Sequence, residues 1–201
     1  MSSGLVGAFI VFAVVTLFTP GPNNVMLMTT GLNFGLRRAQ PHVLGVTIGF
    51  SFMVLVVGLG LGAVFAAWPV LYTIIKYAGA AYILYLAWLI GRSHAVEEGE
   101  APARPISFIA GCLFQWVNPK GWVMVVGSVT AYAAIAAFPL NVVLMAAVFA
   151  VLGYFSSVTW VLLGTGLRRF VAAPRAMRAF NVVMAVLLAL SLVPVFLESW
   201  Q

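Results

Sequence analysis

The sequence predicts an all-α integral membrane protein with six transmembrane helices. Of its 201 residues, 64% are hydrophobic and only 7% are charged, and the mean hydropathy is +1.12. A soluble globular domain carries roughly 25% charged residues, so this chain has too few charges to cover a water-facing surface. Because a spanning helix needs about 20 apolar residues, six spans with short loops account for the whole length. We therefore expect residues 1–201 to form a single membrane domain.

Six apolar stretches provide the predicted spans, and charge-free turns separate two pairs of them. Trp68-Pro69 divides the second span from the third, and Phe138-Pro139 divides the fourth from the fifth. No Lys or Arg precedes the first stretch, and it runs into a proline-glycine break rather than a cleavage site, so we expect it to be retained. The spans cover approximately residues 4–34, 42–67, 70–91, 106–136, 141–166 and 179–198, with the first and fourth broken.

The other three connections are basic, and they indicate the topology. Lys and Arg mark the cytoplasmic side of a membrane protein, and here they occupy every second connection. Both termini are therefore predicted to face outward. The net charge of +6 follows from this topology, so we expect no nucleic-acid partner. The arginines concerned are Arg37, Arg38, Arg92, Arg104, Arg168, Arg169, Arg175 and Arg178.

Two proline-containing segments interrupt the apolar stretches. The first cannot be regular helix, because its two prolines remove two backbone donors and Gly21 adds freedom between them. In the second, Asn118 is a preferred N-cap residue and Pro119 is preferred at the first helical position, so a new half-helix is predicted there. Gly21-Pro22 is interpreted in the same way. The two segments are Thr19-Pro20-Gly21-Pro22-Asn23-Asn24 and Trp116-Val117-Asn118-Pro119-Lys120-Gly121.

The positions of the two breaks predict an internal repeat. Each break lies in the first span of a three-span half, and because three is odd the second half must run inverted. We therefore predict two inverted three-helix repeats, at about 4–91 and 106–198. This is the pattern of a transporter whose site lies near the bilayer midplane at broken helices. Within lipid, broken backbone is tolerated only where protein or a water-filled cavity satisfies it.

Both half-helices are predicted to direct their N-terminal ends at one shared site. Helix N-termini carry partial positive charge and free N–H groups, and Lys120 adds a full positive charge, so the site favours an anion such as the carboxylate of a small zwitterion. The alternative is that the prolines only kink the helices and Lys120 snorkels, although it lies deep for snorkelling. The candidate substrate-binding residues are Thr19, Gly21, Pro22, Asn23, Asn24, Gln115, Asn118, Pro119 and Lys120, with Tyr154, Ser156 and Ser157 as weaker candidates.

Missing residue types restrict the function further. There is no Asp, and no Glu lies inside a predicted span, so a cationic substrate is disfavoured and no buried carboxylate is available to carry a proton. His42 is a possible titrating group, but we interpret it as an interfacial residue beside Arg37 and Arg38. Because the sequence contains no metal-ligand or nucleophile–base constellation, we expect neither a cofactor nor enzymatic activity.

Small residues in the second span predict close helix packing. Gly45 with Gly49, and Gly58 with Gly62, are spaced so that helix backbones can approach each other. We interpret these pairs as packing within the chain, with the face of a homodimer as the alternative. The single cysteine, Cys112, is interpreted as a small buried hydrophobe.

The residues at the breaks resemble a known family, the LysE/RhtB family of bacterial amino-acid exporters. The resemblance spans nearly the whole chain and implies export of amino acids or their derivatives across the inner membrane, driven by the proton gradient, with both termini periplasmic. Asn23-Asn24 is most similar to the cysteine and O-acetylserine branch, and threonine, homoserine and leucine exporters are near neighbours. The matching residues are Phe18 to Asn24, Gly31, Phe34-Gly35, the segment around Ala78 to Tyr82, and Asn118-Pro119-Lys120.

Three functions remain open from the sequence. The leading hypothesis is a secondary exporter of small neutral amino acids, and export of another class, such as leucine or basic amino acids, is a variant of it. A channel for small solutes would also use broken helices. A membrane scaffold without transport activity is the third.

Overall fold

The computed structural model describes residues 3–61, 67–92, 104–167 and 174–190. In these residues the predicted all-helical character is confirmed. The loop that holds His94, the arginines Arg168 and Arg169, and Glu198 near the C-terminus lie outside the described residues. The α-helices are α1 Ser3–Phe18, α2 Pro22–Val56, α3 Pro69–Arg92, α4 Phe108–Gln115, α5 Pro119–Ala131, α6 Leu140–Leu167 and α7 Pro174–Leu190. A π-helical turn (Val57–Leu61) extends α2, and a 3₁₀ turn (Ala133–Ile135) precedes α6.

Both predicted helix breaks are confirmed. α1 ends at Phe18 and α2 begins at Pro22, with Gly21 extended between them at φ −175° and ψ 179°. The second break separates α4 from α5, which begins at Pro119. Each new helix therefore starts on a proline, whose missing N–H would have no intrahelical acceptor at that position in any case.

A bend at Gly35 divides α2 into two parts. Gly35 has φ 74° and ψ 171°, a backbone conformation that residues with a side chain rarely adopt. Residues 22–34 form a half-helix that follows the first break, and residues 36–56 form a second helix. The sequence placed the end of the first span near residue 34, and the bend lies there.

Two helices among the described residues are long and apolar enough to cross a membrane. They are Pro22–Gly60, which includes the bend, and Leu140–Leu167. Gly4–Phe18 and Arg178–Leu190 are apolar but shorter. α1 and the half-helix after the first break are each too short to span alone, since about 20 residues are needed.

The two long helices cross at glycines. A Cβ atom on Gly31 of α2 would collide with the backbone of Val161 of α6, and a Cβ atom on Gly164 would collide with the backbone of Met28. Thr165 adds a hydrogen bond across this crossing, because its Oγ1 donates to the Gly31 carbonyl oxygen at 3.2 Å. The half-helix after the first break is therefore packed directly against α6.

The predicted glycine packing within the chain is confirmed for the residues that the structure describes. A Cβ atom on Gly45 would collide with the Phe108 carbonyl, and one on Gly49 would lie 2.6 Å from the Cα atom of Cys112. α4 therefore lies against the second part of α2. Cys112 is half-buried in this contact rather than fully buried. Gly62 lies outside the described residues.

An aromatic cluster joins α1, α2 and α6 next to the breaks. The ring of Phe149 meets Phe9 at a centroid distance of 5.3 Å and Phe50 at 5.1 Å, both edge-on. Phe149 is fully buried, and the other two rings are nearly so. Edge-to-face aromatic pairs add about 0.5–1.5 kcal/mol each beyond their buried area, so this cluster stabilises the relative positions of the three helices.

Candidate substrate site

A cavity lies between the two helix breaks. About 480 Å³ of space between atoms lies there, part of it open to the surroundings. The half-helix after the first break, α2 beyond the bend, α5 and α6 all contribute to its wall. The lining residues are Thr16, Leu17, Gly21, Asn23, Asn24, Val46, Thr47, Phe50, Asn118, Lys120, Gly121, Met124, Phe149, Gly153, Ser156 and Ser157.

Lys120 joins the two breaks across this cavity. Its Nζ donates to the carbonyl oxygen of Thr19 and lies 3.4 Å from that of Pro20. These carbonyls follow the C-terminus of α1, where the backbone oxygens lack intrahelical donors and the helix dipole is negative. The predicted lysine charge is therefore beside the site, but it is bound to backbone oxygens rather than free.

Asn24 and Ser156 satisfy further carbonyl oxygens at the same helix end. Asn24 Nδ2 donates to the carbonyls of Leu17 at 3.1 Å and Thr19 at 2.7 Å. Ser156 Oγ donates to the Leu17 carbonyl at 2.8 Å. Asn24 thus works mainly as a structural cap for α1, a role that its position in the motif did not predict.

Asn23 and Gln115 form a reciprocal amide pair between the two breaks. Asn23 Nδ2 donates to Gln115 Oε1 at 2.8 Å, and Gln115 Nε2 donates back to Asn23 Oδ1 at 3.1 Å. Gln115 also donates to the Gly111 carbonyl at 2.9 Å and is fully buried behind the cavity wall. The pair fixes the start of α2 against the end of α4.

Two buried polar atoms at the cavity lack a partner. Asn118 is 2% exposed and Thr47 is 7% exposed, yet neither Asn118 Oδ1 nor Thr47 Oγ1 has a hydrogen bond within the described structure. Asn118 precedes α5 but its side chain does not cap the helix, so the expected capping bond is absent. Buried polar groups are normally paired, so these two atoms are available to a ligand or to water.

The remaining predicted site residues differ in whether they line the cavity. Ser157 lines the cavity, as do Gly21 and Lys120. Pro22 and Pro119 begin helices without lining it, and Thr19 contributes its backbone carbonyl. Tyr154 is 37% exposed beside Phe155 and does not line the cavity.

Sequence reasoning missed two hydroxyl residues that the fold brings to the cavity. Thr16 and Thr47 line it, as does Ser156, one of the weaker candidates. Hydroxyls in apolar helices often bond to their own backbone, as Thr16 does to the Phe12 carbonyl at 2.7 Å, so their position in the sequence carries little functional signal. The one available signal is that Thr47 and Ser51 are spaced four residues apart and therefore share one face of α2.

His42 is also placed differently from the expectation. Its side chain is fully buried, so the interpretation as an interfacial group is wrong. Its Nδ1 lies 3.0 Å from Thr30 Oγ1. Arg37 and Arg38, which suggested the interface, are exposed.

Broken apolar helices whose N-termini meet at one cavity are typical of a membrane transporter. The chain matches the family model described as LysE type translocator over residues 14–196, and it belongs to this family. It is 32% identical to the cysteine/O-acetylserine efflux proteins of Escherichia coli (strain K12) and Shigella sonnei (strain Ss046). Each match covers 98% of this chain and 100% of the relative. No solved structure matches the chain.

Proposed function

We propose that this protein is a secondary transporter that exports small neutral amino acids or their derivatives from the cytoplasm. The observation that carries the proposal is the cavity between two helix N-termini, which contains the Lys120 ammonium group and, among the described residues, has no carboxylate in its lining. Such a cavity favours the carboxylate of an amino acid and provides no opposite charge for a cationic side chain. The efflux proteins named above make cysteine and O-acetylserine, or the similar threonine and homoserine, the first substrates to examine.

The substrate carboxylate would take the place of backbone carbonyls on Lys120. In this structure the ammonium group binds the Thr19 and Pro20 carbonyl oxygens. A carboxylate carries a full charge and is a stronger acceptor than a carbonyl, so it competes for the same protons. The first N–H groups of α2 and α5 add donors without reorganisation.

The α-ammonium group and the side chain of the substrate would find partners among the other lining residues. Asn118 Oδ1 and Thr47 Oγ1 are unpaired acceptors that suit an ammonium group. Ser157 and Thr16 offer hydroxyls, and Met124 offers a polarisable apolar surface. This mixture suits a short thiol, ester or hydroxyl side chain better than a long apolar one.

Reciprocal packing supports two inverted repeats with six spans. The second span packs on both halves of the broken fourth span, through Gly49 against Cys112 and through Phe50 in one cluster with Trp122. The fifth span packs on both halves of the broken first span, as with Val161 against Gly31. We further propose that the chain lies in the bacterial inner membrane with both termini periplasmic, and that the proton gradient drives export.

A channel for small solutes is the second candidate, because the cavity is partly open. Everted membrane vesicles distinguish the two. We expect uptake of labelled O-acetylserine, cysteine or threonine against a gradient, and abolition of this uptake by an uncoupler. Flux that runs only down the concentration gradient would support the channel instead of the exporter. Absence of flux for every amino acid on a panel that includes leucine and lysine would contradict the proposal.

A further inference from the structure

A buried histidine and a threonine are joined across the bend in α2. Thr30 lies on the half-helix that follows the first break, and His42 lies on the helix beyond Gly35. The distance between His42 Nδ1 and Thr30 Oγ1 is 3.0 Å. Thr30 is 3% exposed, so the bond is shielded from water. A change in the angle of α2 at Gly35 must therefore change or break the hydrogen bond between Thr30 and His42.

The hydrogen bonds of Thr30 favour one tautomer of the neutral histidine. Thr30 Oγ1 lies 2.9 Å from the Met26 carbonyl oxygen, to which it donates its single proton. With that proton used, the hydroxyl oxygen accepts from His42, which assigns the proton of the neutral ring to Nδ1. His42 Nε2 is left as an acceptor, and it is buried without a hydrogen-bond partner in the described part of the chain.

The bend lies between two parts of the cavity wall. Asn23 and Asn24 line the cavity from the half-helix before Gly35, and Val46 and Thr47 line it from the helix after Gly35. A change of angle at Gly35 therefore moves one side of the cavity relative to the other. A Cβ atom at Gly35 would meet nothing within 4 Å, so the bend itself lies in open space.

The described residues on and around α2 carry few other titratable groups. The sequence has four acidic residues, all Glu, and all lie outside the described residues. On the helices that pack against α2, the titratable or charged residues include Cys112, Lys120, Tyr154, Arg175 and Arg178. α3, which shares a core cluster with Val25 and Met26, carries Lys76, Tyr77, Tyr82, Tyr85 and Arg92. On α2 itself there are Arg37 and Arg38, and Arg38 lies over the Phe34 ring at 5.3 Å on the same bend.

We propose that His42 is the proton-binding residue of the exporter, and that its bond to Thr30 couples this proton to the angle of α2 at Gly35. A proton from the aqueous phase would add to Nε2 and leave an imidazolium N–H without an acceptor in the present conformation. A buried unpaired charge is strongly unfavourable, so the protonated protein favours a conformation in which Nε2 meets water or an acceptor. The neutral protein favours the conformation described above. This inference rests on the proposed export function.

The first test measures the histidine directly and needs no transport. His42 and His94 are the two histidines of the chain, so the His94→Gln variant has a single one. In purified protein we expect ¹⁵N imidazole spectra at alkaline pH to show a protonated Nδ1 and an unprotonated Nε2. Thr30→Val should change this tautomer ratio. Thr29→Val is the matched control, because Thr29 Oγ1 donates only to the Val25 carbonyl of its own helix. If the neutral His42 ring carries its proton on Nε2 in protein that retains Thr30, the proposal is overturned.

The second test uses the full chain in proteoliposomes with labelled O-acetylserine. His42→Asn keeps a donor for Thr30 but cannot titrate. We expect exchange of labelled for unlabelled substrate to stay within about twofold of wild type, whereas accumulation driven by a pH gradient is lost. Accumulation at the wild-type level with an unchanged pH profile would overturn the proposal.

If His42→Asn loses substrate exchange as well as accumulation, the Thr30 variants test the proposal instead. Thr30→Val should shift the pH profile of accumulation, and Thr30→Ser should restore it. Identical profiles for Thr30→Val and Thr29→Val would then overturn the coupling. If wild-type protein exchanges no amino acid at all, the export function fails, and the imidazole spectra still report separately on the histidine.

Discussion

The two helix breaks use similar residues for different purposes. At the first break the asparagines are occupied internally: Asn24 caps the end of α1, and Asn23 pairs with Gln115. At the second break Asn118 keeps an unpaired buried oxygen, and Lys120 extends across the cavity to the first break. The first break therefore supplies backbone acceptors and rigidity. The second break supplies the charge of Lys120 and the unpaired oxygen of Asn118. Two breaks with similar residues therefore need not contact a substrate equally.

The largest expected effect comes from removing the charge at the second break. Lys120→Met should lower export of O-acetylserine in everted vesicles by roughly 100-fold, because both the substrate carboxylate and the α1 carbonyls lose their charged partner. Lys120→Arg is the control that keeps the charge but not the compact ammonium group, and it should retain part of the activity. Wild-type export by Lys120→Met would place the carboxylate site elsewhere.

Exchanging the asparagines for alanine should separate stability from transport. Asn24→Ala removes two hydrogen bonds to backbone oxygens and should lower the free energy of unfolding by about 1–3 kcal/mol. Asn118→Ala removes an unpaired oxygen and should leave the melting temperature nearly unchanged, while KM for O-acetylserine rises about tenfold. Thermal unfolding in detergent and vesicle uptake measure the two effects. A loss of stability in Asn118→Ala together with a raised KM in Asn24→Ala would refute the difference between the two breaks.

A single methyl group at the first break should displace Lys120. A Cβ atom on Gly21 would lie 2.6 Å from Lys120 Cδ, whereas the extended backbone of Gly21 is accessible to alanine. Gly21→Ala should therefore weaken substrate affinity by about tenfold without unfolding the protein. Gly7→Ala on α1 is the matched control, since nothing lies within 4 Å of its Cβ position.

The displacement can be assigned to Lys120 with a double-mutant cycle. If the methyl group acts only through the lysine, Gly21→Ala should have little further effect on export in the Lys120→Met background. Additive losses in the double variant would show that Gly21 acts in another way.

The smallest expected effect is the difference in KM between variants of Ser157 and Tyr154, two of the weaker candidates on α6. Ser157→Ala removes a hydroxyl from the cavity wall and should change KM by roughly threefold or more. Tyr154→Phe should change it by less than about twofold, because Tyr154 lies outside the cavity. Kinetics for both variants at matched expression provide the measurement. Equal losses for both would mean that the cavity extends past Tyr154.

The sequence by itself determined the apolar helical character and the positions of both helix breaks. These properties are local: charge density reports the solvent, and proline and glycine act on the backbone within a few residues. Gly35, at the end of the predicted first span, belongs to the same class. The charge that the site needs, Lys120, was also evident from its depth in an apolar stretch.

Only the tertiary structure decided how the polar groups are paired. Lys120 meets Thr19 across 101 positions, and Asn23 meets Gln115 across 92. A side chain bonded to a distant backbone oxygen has the same local sequence as one that is free, so no pattern reveals the difference. The same holds for His42, which follows two exposed arginines yet is fully buried. Helix packing, and not sequence neighbourhood, determines which of these groups can meet a substrate or a proton.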